Sequence, residues 1–274
     1  MKGFARRRLL WSALLVAASL TVASAYLLWA GATTRATYLS GWLLFGVMVL
    51  LTGYNWFKKI PYLPLGSSEV WLEFHLYAGA FTGVLFLLHV RWTWPSGWFQ
   101  TGLTLLYGIV MSSGLLGILI SRGWPKRLTA RGGEVPFDRI PIVRRQLREQ
   151  AEALALKSVA TAKSPTIADF YARRLHDFFA GPQNFLSHLF EIRLPLNGLL
   201  HDLHDLDRFL NAEEREIAAR LTELVRQKDG LDYQRALQLT LRLWLFIHIP
   251  FTYSLMLWSI AHIVLVYGFS AGAR

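Results

Sequence analysis

The chain has 274 residues, of which 53% are hydrophobic, and it carries a formal net charge of +11. This composition is typical of a membrane protein. The absence of cysteine excludes disulfides, thiolate-ligated iron–sulfur clusters and covalently attached c-type haem, because each needs a cysteine thiol.

Five apolar runs are long enough to cross a bilayer, which takes about 20 residues. They cover residues 9–30, 38–56, 70–92, 100–120 and 241–269. The first run follows a basic start and contains Ala23-Ser24-Ala25, which resembles the cleavage site of a secretion signal. Because the apolar run continues to Ala30, we interpret it as a retained helix.

Lysine and arginine residues are distributed unevenly around the ends of these runs. With the N-terminus inside, the inner flanks hold ten of them: Lys2, Arg6, Arg7, Arg8, Lys58, Lys59, Arg122, Lys126, Arg127 and Arg131. The outer flanks hold three: Arg35, Arg91 and Arg274. Positive charge collects on the cytoplasmic side of membrane proteins. The asymmetry therefore predicts an inside N-terminus and an outside C-terminus, and it explains the basic excess without a nucleic-acid partner.

A polar segment, residues 123–238, separates the fourth and fifth runs. Caps and breakers predict helices at about 144–163, 165–180, 197–210 and 211–229. Asp229-Gly230 is expected to end the last of these, and Asp232 to cap a new helix that continues into the fifth run. The segment contains no GxGxxG or GxxxxGK[ST] motif, so nothing in it indicates a flavin, nicotinamide or nucleotide domain.

Two of the apolar runs share the pattern W-L-x-x-H-x13-H. The third run contains His75 and His89, and the fifth contains His248 and His262. Ionisable side chains are costly in hydrocarbon and rare there unless they have a function. Since a helix rises about 1.5 Å and turns about 100° per residue, fourteen residues place both histidines on one face, about 21 Å apart.

The two runs are both odd-numbered, so they cross the membrane in the same direction. His75 is therefore expected at the depth of His248, and His89 at the depth of His262. Each pair can supply two axial nitrogens to an iron in a planar macrocycle, with one pair in each leaflet. A single membrane histidine is as often an ordinary hydrogen-bonded residue, but four in matching positions favour a ligand function.

The H-x13-H pair on each of two predicted transmembrane helices resembles the membrane b-type di-haem cytochromes. These include cytochrome b of the bc complexes, cytochrome b561 and the membrane domain of ferric reductases and NADPH oxidases. The resemblance covers spans two to five and implies a four-helix bundle with two haem b groups. It implies that His75 and His248 ligate the inner haem iron, and that His89 and His262 ligate the outer one. The chain departs from these families in its five spans, its large insertion and its lack of an appended flavin or nicotinamide domain.

Residues close to the histidines are secondary candidates. Gly79 and Gly83 share the face of His75, where small side chains would let a flat ring approach the backbone. Arg91 is a candidate partner for the propionates of the outer haem. Further glycines in spans two and four are Gly46, Gly53, Gly108, Gly114 and Gly117, and candidate propionate partners at the inner site are Lys58, Lys59, Arg122 and Arg242. All of these glycines fit close helix packing equally well, and the basic residues fit a role in setting topology.

Other polar residues allow more than one interpretation. Glu73 is a quinol proton acceptor or an interfacial carboxylate, the second being preferred. The HDLHDLD stretch, residues 201–207, could bind a metal, but a solvated helix face explains it better, and His176 and His188 are assigned to the same polar surface. Pro250 should bend the fifth span. The aromatic stretch 91–99 is interpreted as an interfacial belt, with the wall of a quinone site as the alternative.

These features predict an all-α fold, namely an integral membrane helical bundle of five transmembrane helices with a haem-binding four-helix core. The expected parts are an N-terminal transmembrane helix (1–36), transmembrane helices two to four (37–122), a soluble helical cytoplasmic insertion (123–238) and a last helix that completes the haem bundle (239–274).

The expected function is that of a di-haem cytochrome b subunit in the bacterial inner membrane. It would carry electrons between the quinone pool and a partner redox protein, such as a multi-haem cytochrome c or an iron–sulfur protein, within a quinol-linked respiratory or related complex. One alternative is a stand-alone transmembrane reductase of ferric ion or a small molecule. Another is a haem-free membrane scaffold or metal transporter.

Overall fold

The computed structural model describes residues 2–30, 36–57, 68–129, 135–162 and 165–271. Ten α-helices, two 3-10 turns and one π-helical turn account for nearly all of these residues, and no strand occurs among them. The predicted all-α class is therefore confirmed for this part of the chain.

Five helices contain the apolar runs. They are α1 (Lys2–Ala30), α2 (Ala36–Phe57), α3 (Ser68–His89), α4 (Trp98–Thr129) and α10 (Ala212–Ala271). Their membrane-compatible stretches are Arg6–Trp29, Ala36–Gly53, Val70–His89, Trp98–Trp124 and Ala212–Phe269. Large apolar side chains such as Leu28, Leu119 and Val264 are exposed, which is what lipid-facing positions require. Five such helices indicate an integral membrane protein.

The remaining helices are short, apart from the first. They are α5 (Ile140–Ala162), α6 (Thr166–Phe170), α7 (His176–Ala180), α8 (Phe185–Leu189) and α9 (Leu194–Asp205). A 3-10 turn, Phe137–Arg139, precedes α5, a π-helical turn, Tyr171–Leu175, joins α6 to α7, and a second 3-10 turn, Leu206–Phe209, follows α9.

The chain divides into two compact units. The first comprises residues 1–119 and 244–274, and the second comprises residues 120–243. The predicted insertion, 123–238, falls inside the second unit. Five basic residues of the charge comparison lie outside the described residues, namely Arg35, Lys58, Lys59, Arg131 and Arg274.

The core of the first unit joins four helices. Leu44 and Met48 of α2, Leu85 of α3, Tyr107 of α4 and Leu255 of α10 form one buried cluster. Leu255 is midway between His248 and His262 along α10, so this cluster packs the bundle between the two predicted histidine levels. The four-helix arrangement follows from apolar faces on α2, α3, α4 and α10 that meet there.

The core of the second unit forms because its helices are amphipathic. On α5, the buried residues Ile140, Leu147, Ala151 and Ala155 follow a helical spacing and define one face. They belong to the same cluster as Leu175, Phe179, Leu203, Leu221 and Val225 from the π-helical turn, α7, α9 and α10.

The predicted helix start at Asn211 is confirmed by its hydrogen bonds. Asn211 Oδ1 accepts the backbone N–H of Glu214 at 2.9 Å, and Glu214 Oε2 accepts the backbone N–H of Asn211 at 3.0 Å. This reciprocal pair is a capping box, which satisfies donors that would otherwise lack a partner at the helix start.

The predicted helix end at Asp229-Gly230 is wrong, because α10 continues through it. The Lys228 ammonium lies 2.6 Å from Asp232 Oδ2, one helical turn on, and both side chains are buried. Leu231 and Tyr233 are buried as well. A glycine inside a helix costs about 1 kcal/mol, which this packing and ion pairing offset. Asp232 therefore lies inside a helix rather than at the start of one.

Candidate haem-binding site

The four membrane histidines all belong to the first unit, two on α3 and two on α10. The rings of His89 and His262 have centroids 6.3 Å apart and planes inclined at 88°. The rings of His75 and His248 are close enough to interact electrostatically. The structure therefore brings His89 and His262 together as an outer pair, and it places His75 within electrostatic range of His248, which form the inner pair.

The separation of the outer pair suits two ligands of one metal ion. A nitrogen–metal bond of about 2.0–2.1 Å, plus about 1.1 Å from that nitrogen to its ring centre, places two opposed imidazole centroids about 6.3 Å apart. The observed distance is the same.

The hydrogen bonds of His89 assign its tautomer. Its Nδ1 lies 3.3 Å from the carbonyl oxygen of Thr37 and 3.5 Å from Ser40 Oγ. The Ser40 hydroxyl already donates its proton to the same Thr37 carbonyl, at 2.9 Å. Both neighbours of Nδ1 therefore act as acceptors and require a proton on that nitrogen. This leaves the lone pair on Nε2, where a metal can bind.

The tautomer of His248 is assigned in the same way, through its contact with Ser113 of α4. Its Nδ1 lies 2.7 Å from Ser113 Oγ, and the Ser113 hydroxyl donates to the carbonyl oxygen of Val110 at 2.8 Å. His248 Nδ1 is therefore the donor, and its lone pair is on Nε2. Histidines that bind metals usually donate their other ring N–H to an oxygen in this manner, which orients the ring and raises its basicity.

Trp244 adds further contacts between α10 and α4 at the inner site. Its ring stacks on His248 at 5.6 Å, and its Nε1 donates to the Ser113 carbonyl oxygen at 2.7 Å. Trp244 packs so closely on Gly117 that a side chain at position 117 would collide with it. Gly117 is thus a packing glycine, and Ser113 binds both aromatic residues of this turn of α10.

The outer histidine depends on a glycine that the sequence did not single out. A Cβ added at Gly41 of α2 would lie 2.8 Å from Cε1 of His89. Only a glycine lets α2 approach this ring so closely. Phe99 of α4 stacks near His262 at 6.4 Å and on Trp258 at 5.1 Å, so aromatic rings pack beside the second residue of the outer pair.

A largely apolar cavity adjoins the outer pair. It contains about 690 Å³ of empty space, including its open mouth, and both His89 and His262 line it. Met48, Phe86 and Leu255 supply part of its apolar wall. Cofactor pockets typically have apolar linings with few polar groups.

A buried hydrogen bond lies between the two histidine levels. Thr82 is midway between His75 and His89 on α3, and its Oγ1 lies 3.0 Å from the hydroxyl of Tyr107 on α4. The Tyr107 ring stacks on Phe86 at 4.1 Å. This aromatic layer separates the outer and inner sites and fixes α3 against α4.

The predicted glycines near His75 differ in their surroundings. A Cβ at Gly79 would meet nothing within 4 Å, whereas one at Gly83 would lie 2.7 Å from Met111 Cε. Gly79 therefore leaves space beside the inner pair, and close packing explains Gly83. Among the other predicted glycines, Gly46 and Gly108 have open space and Gly114 lies beside His248.

The basic and acidic candidates have local partners. Arg91 donates to Thr37 Oγ1 through Nε and Nη2, at 3.1 and 2.6 Å, so it binds the residue that also orients His89. Glu73 pairs with Arg7 of α1 at 2.8 Å, which supports its interpretation as an interfacial carboxylate. Arg242 belongs to the second unit, where it lies over the ring of Phe137.

One histidine of the second unit is buried, although it was predicted to lie on a polar surface. His201 and His204 are exposed and pair with Asp205 and Asp207 on a solvated face. His188, in contrast, is buried with its Nε2 3.8 Å from Asp229, so its assignment to the polar surface is wrong. Its burial follows from α8 packing, which the sequence of a five-residue helix does not reveal.

The aromatic stretch after α3 is exposed. Trp92, Trp94 and Trp98 present most of their surface, as residues of an interfacial belt do. Pro250 lies inside α10, which continues on both sides of it. Across the described ranges, no group of three or more His, Asp or Glu side chains is arranged to hold a metal ion.

The residues present fit a bis-histidine haem. Two imidazoles share a spacing suited to one metal, two histidines on different helices have their Nε2 atoms available, and an apolar cavity adjoins the outer pair. Sequence periodicity located the four histidines, but it missed Gly41, Thr37, Ser40 and Ser113. Hydroxyl residues within apolar runs were the available signal for the serines. No family model, curated protein or solved structure matches this chain.

Proposed function

We propose that this protein is an integral membrane electron-transfer subunit with two b-type haems, each held by one histidine pair. His89 and His262 would hold the outer haem, and His75 and His248 the inner one. Haem ligated by two imidazoles supplies reversible one-electron transfer. The two pairs are about 21 Å apart along their helices, which is most of a hydrocarbon core of about 30 Å.

The observation that carries this proposal is the arrangement of the outer pair. Its centroids are separated by the distance that two axial ligands need, and Nδ1 of His89 is committed to the Thr37 carbonyl. The same tautomer at His248 supports the inner site.

The chain's own residues position and insulate the two sites. Ser113, Thr37 and Ser40 orient the ligands, and the apolar cluster of Leu44, Met48, Leu85, Tyr107 and Leu255 excludes water between them.

The proposed partners follow from this relay function. Electrons would pass between the quinone pool and a partner redox protein, such as a multi-haem cytochrome c or an iron–sulfur protein, in a respiratory or related complex. The proposed location is the bacterial inner membrane, and the charge asymmetry supports an orientation with the inner pair near the cytoplasm. The second unit, residues 120–243, would then face the cytoplasm.

A spectrum of the purified full-length chain tests the proposal. Protein produced in a haem-sufficient host should show two low-spin b-type haems per chain in its reduced-minus-oxidised spectrum. His262→Ala and His75→Ala should each retain one haem, and the two variant spectra should sum to that of the unaltered protein. His201→Ala is the matched control, because His201 is an exposed histidine of the second unit, and it should keep both haems.

Two results would overturn the assignment. One is a featureless visible spectrum from folded protein supplied with haem. The other is equal haem loss in His201→Ala and His262→Ala, because a general folding defect rather than ligand loss would then explain the change.

A further inference from the structure

An exposed apolar segment occurs in the second unit. Between residues 185 and 194, the side chains of Leu186, Phe190, Ile192 and Leu194 are exposed, to 65%, 73%, 47% and 76% respectively. Four large apolar residues so close together are unusual on a surface that faces only water. We refer to residues 185–194 as the apolar segment.

The apolar segment is bound to the end of a membrane span. Arg127 of α4 donates through Nη2 to the carbonyl oxygens of His188 and Leu189, at 3.1 and 3.0 Å, and its Nε lies 2.7 Å from Glu191. Arg127 follows Trp124, the last residue of the membrane-compatible stretch of α4, by three positions. Three residues correspond to about 4.5 Å along a helix. The apolar segment is therefore held at the level where α4 leaves the membrane.

A small apolar cluster attaches the apolar segment to a second membrane helix, α10. Leu128, Tyr233 and Leu237 are buried together, and both Trp124 and Leu189 pack against them. Leu237 precedes the last apolar run, which begins at residue 241, by one helical turn. The apolar segment is thus attached close to the membrane ends of both α4 and α10.

We infer that the apolar segment is a lipid-binding surface, which inserts Leu186, Phe190, Ile192 and Leu194 into the interfacial layer of the leaflet where α4 ends. Its attachment to residues that follow one span and precede another supports this occupant. Apolar side chains that enter this boundary, with charged residues at the headgroup level, are how interfacial elements bind membranes.

The charges around the segment suit this occupant better than a protein partner. Arg193 is exposed between the apolar Ile192 and Leu194, where its guanidinium can reach lipid phosphates. Glu191, the acidic residue of the segment, is paired with Arg127 and with the Tyr233 hydroxyl at 3.0 Å. The segment therefore presents apolar and positive groups to a membrane surface while its carboxylate is neutralised.

The inference concerns the second unit alone and does not depend on haem, so it can be tested separately. The chain has no cysteine, and single cysteines can be introduced for spin labelling without removing others. Leu186→Cys and Phe190→Cys report on the apolar segment. Leu156→Cys is the matched control, because Leu156 is an equally exposed leucine on a helix of the same unit, with 71% of its surface accessible.

Each labelled full-length variant would be reconstituted in nanodiscs of phosphatidylcholine and phosphatidylglycerol. Power saturation then gives the accessibility of the nitroxide to oxygen, which concentrates in lipid, and to a water-soluble nickel chelate. The labels at 186 and 190 should have an oxygen-to-nickel accessibility ratio several-fold higher than the label at 156. The wild-type far-UV spectrum in all three variants confirms that folding is unchanged.

Two outcomes contradict the inference. Labels at 186 and 190 that are as accessible to the nickel chelate as the label at 156 would place the segment in water. Labels shielded from both reagents would place it against protein, either a partner subunit or a second copy of the chain.

Discussion

At the scale of single residues, the hydroxyl of Ser113 determines which nitrogen of His248 is available. When that hydroxyl donates to the Val110 carbonyl, it accepts from His248 Nδ1. The histidines themselves were visible in the sequence as a repeated spacing. Ser113 was not, because it lies 135 positions from the ring that it orients, and no local pattern reports such a contact.

Replacing Ser113 should selectively weaken haem binding at the proposed inner site. In Ser113→Ala, His248 Nδ1 loses its acceptor, and loss of such an outer partner typically costs about 10–100-fold in metal affinity. We expect lower haem occupancy at the inner site, or a shifted inner-haem midpoint potential in a redox titration, with the outer haem unchanged.

The neighbouring serine provides the control for this experiment. Ser112→Ala makes the same chemical change one position away, at an exposed residue, and should leave both haem spectra and potentials unaltered. If Ser112→Ala and Ser113→Ala behave alike, the effect comes from α4 itself and not from the bond to His248.

At the scale of helices, the close packing of α2 against α3 at the His89 ring requires a glycine at position 41. The ring of His89 occupies the space that any side chain at position 41 would need. Glycine in an apolar run is common in membrane helices, so the sequence alone could not separate this position from Gly46. The difference lies in the partner helix, which becomes known only when the bundle is assembled.

Gly41→Ala should therefore disturb haem binding at the proposed outer site and spare the proposed inner one. The new methyl group would lie 2.8 Å from His89 Cε1, closer than carbon atoms can approach, so the ring must move away from its ligand position. We expect the haem-to-protein ratio to fall from two towards one, with the remaining spectrum matching that of His262→Ala.

Gly46→Ala is the matched control on the same helix. A Cβ there meets nothing within 4 Å, and alanine is a better helix former than glycine by about 1 kcal/mol. Full haem content in Gly46→Ala, together with loss in Gly41→Ala, would tie the loss to the contact with His89. Full haem content in both would show that the ring has room to relocate and still bind.

The sequence predicted some helices better than others for a physical reason. In a membrane every backbone group must bond within its own helix, so a long apolar run such as 70–92 can only be helical. In the second unit, helix ends depend on contacts between elements. The Lys228–Asp232 ion pair carries α10 through Gly230, against a local signal that favours an end there.

At the scale of the whole molecule, the distribution of charge sets the orientation. The positive-inside rule acts on flanking residues while the chain inserts, so it can be applied without a structure. It predicts that residues after α3 face the outside and that the second unit faces the cytoplasm. Thr93, in the exposed turn after α3, and Leu156, on α5, report on these two sides.

Thiol labelling in the cysteine-free chain tests this orientation. A membrane-impermeant maleimide added to intact inner-membrane spheroplasts should modify Thr93→Cys but not Leu156→Cys, because only the first side chain is outside. After permeabilisation both should react to a similar extent, since both positions are exposed. The unaltered chain, which has no thiol, gives the background. The opposite result would be labelling of Leu156→Cys, but not of Thr93→Cys, in intact spheroplasts. It would show that the protein has the reverse orientation, and the sides assigned to the two histidine pairs would be exchanged.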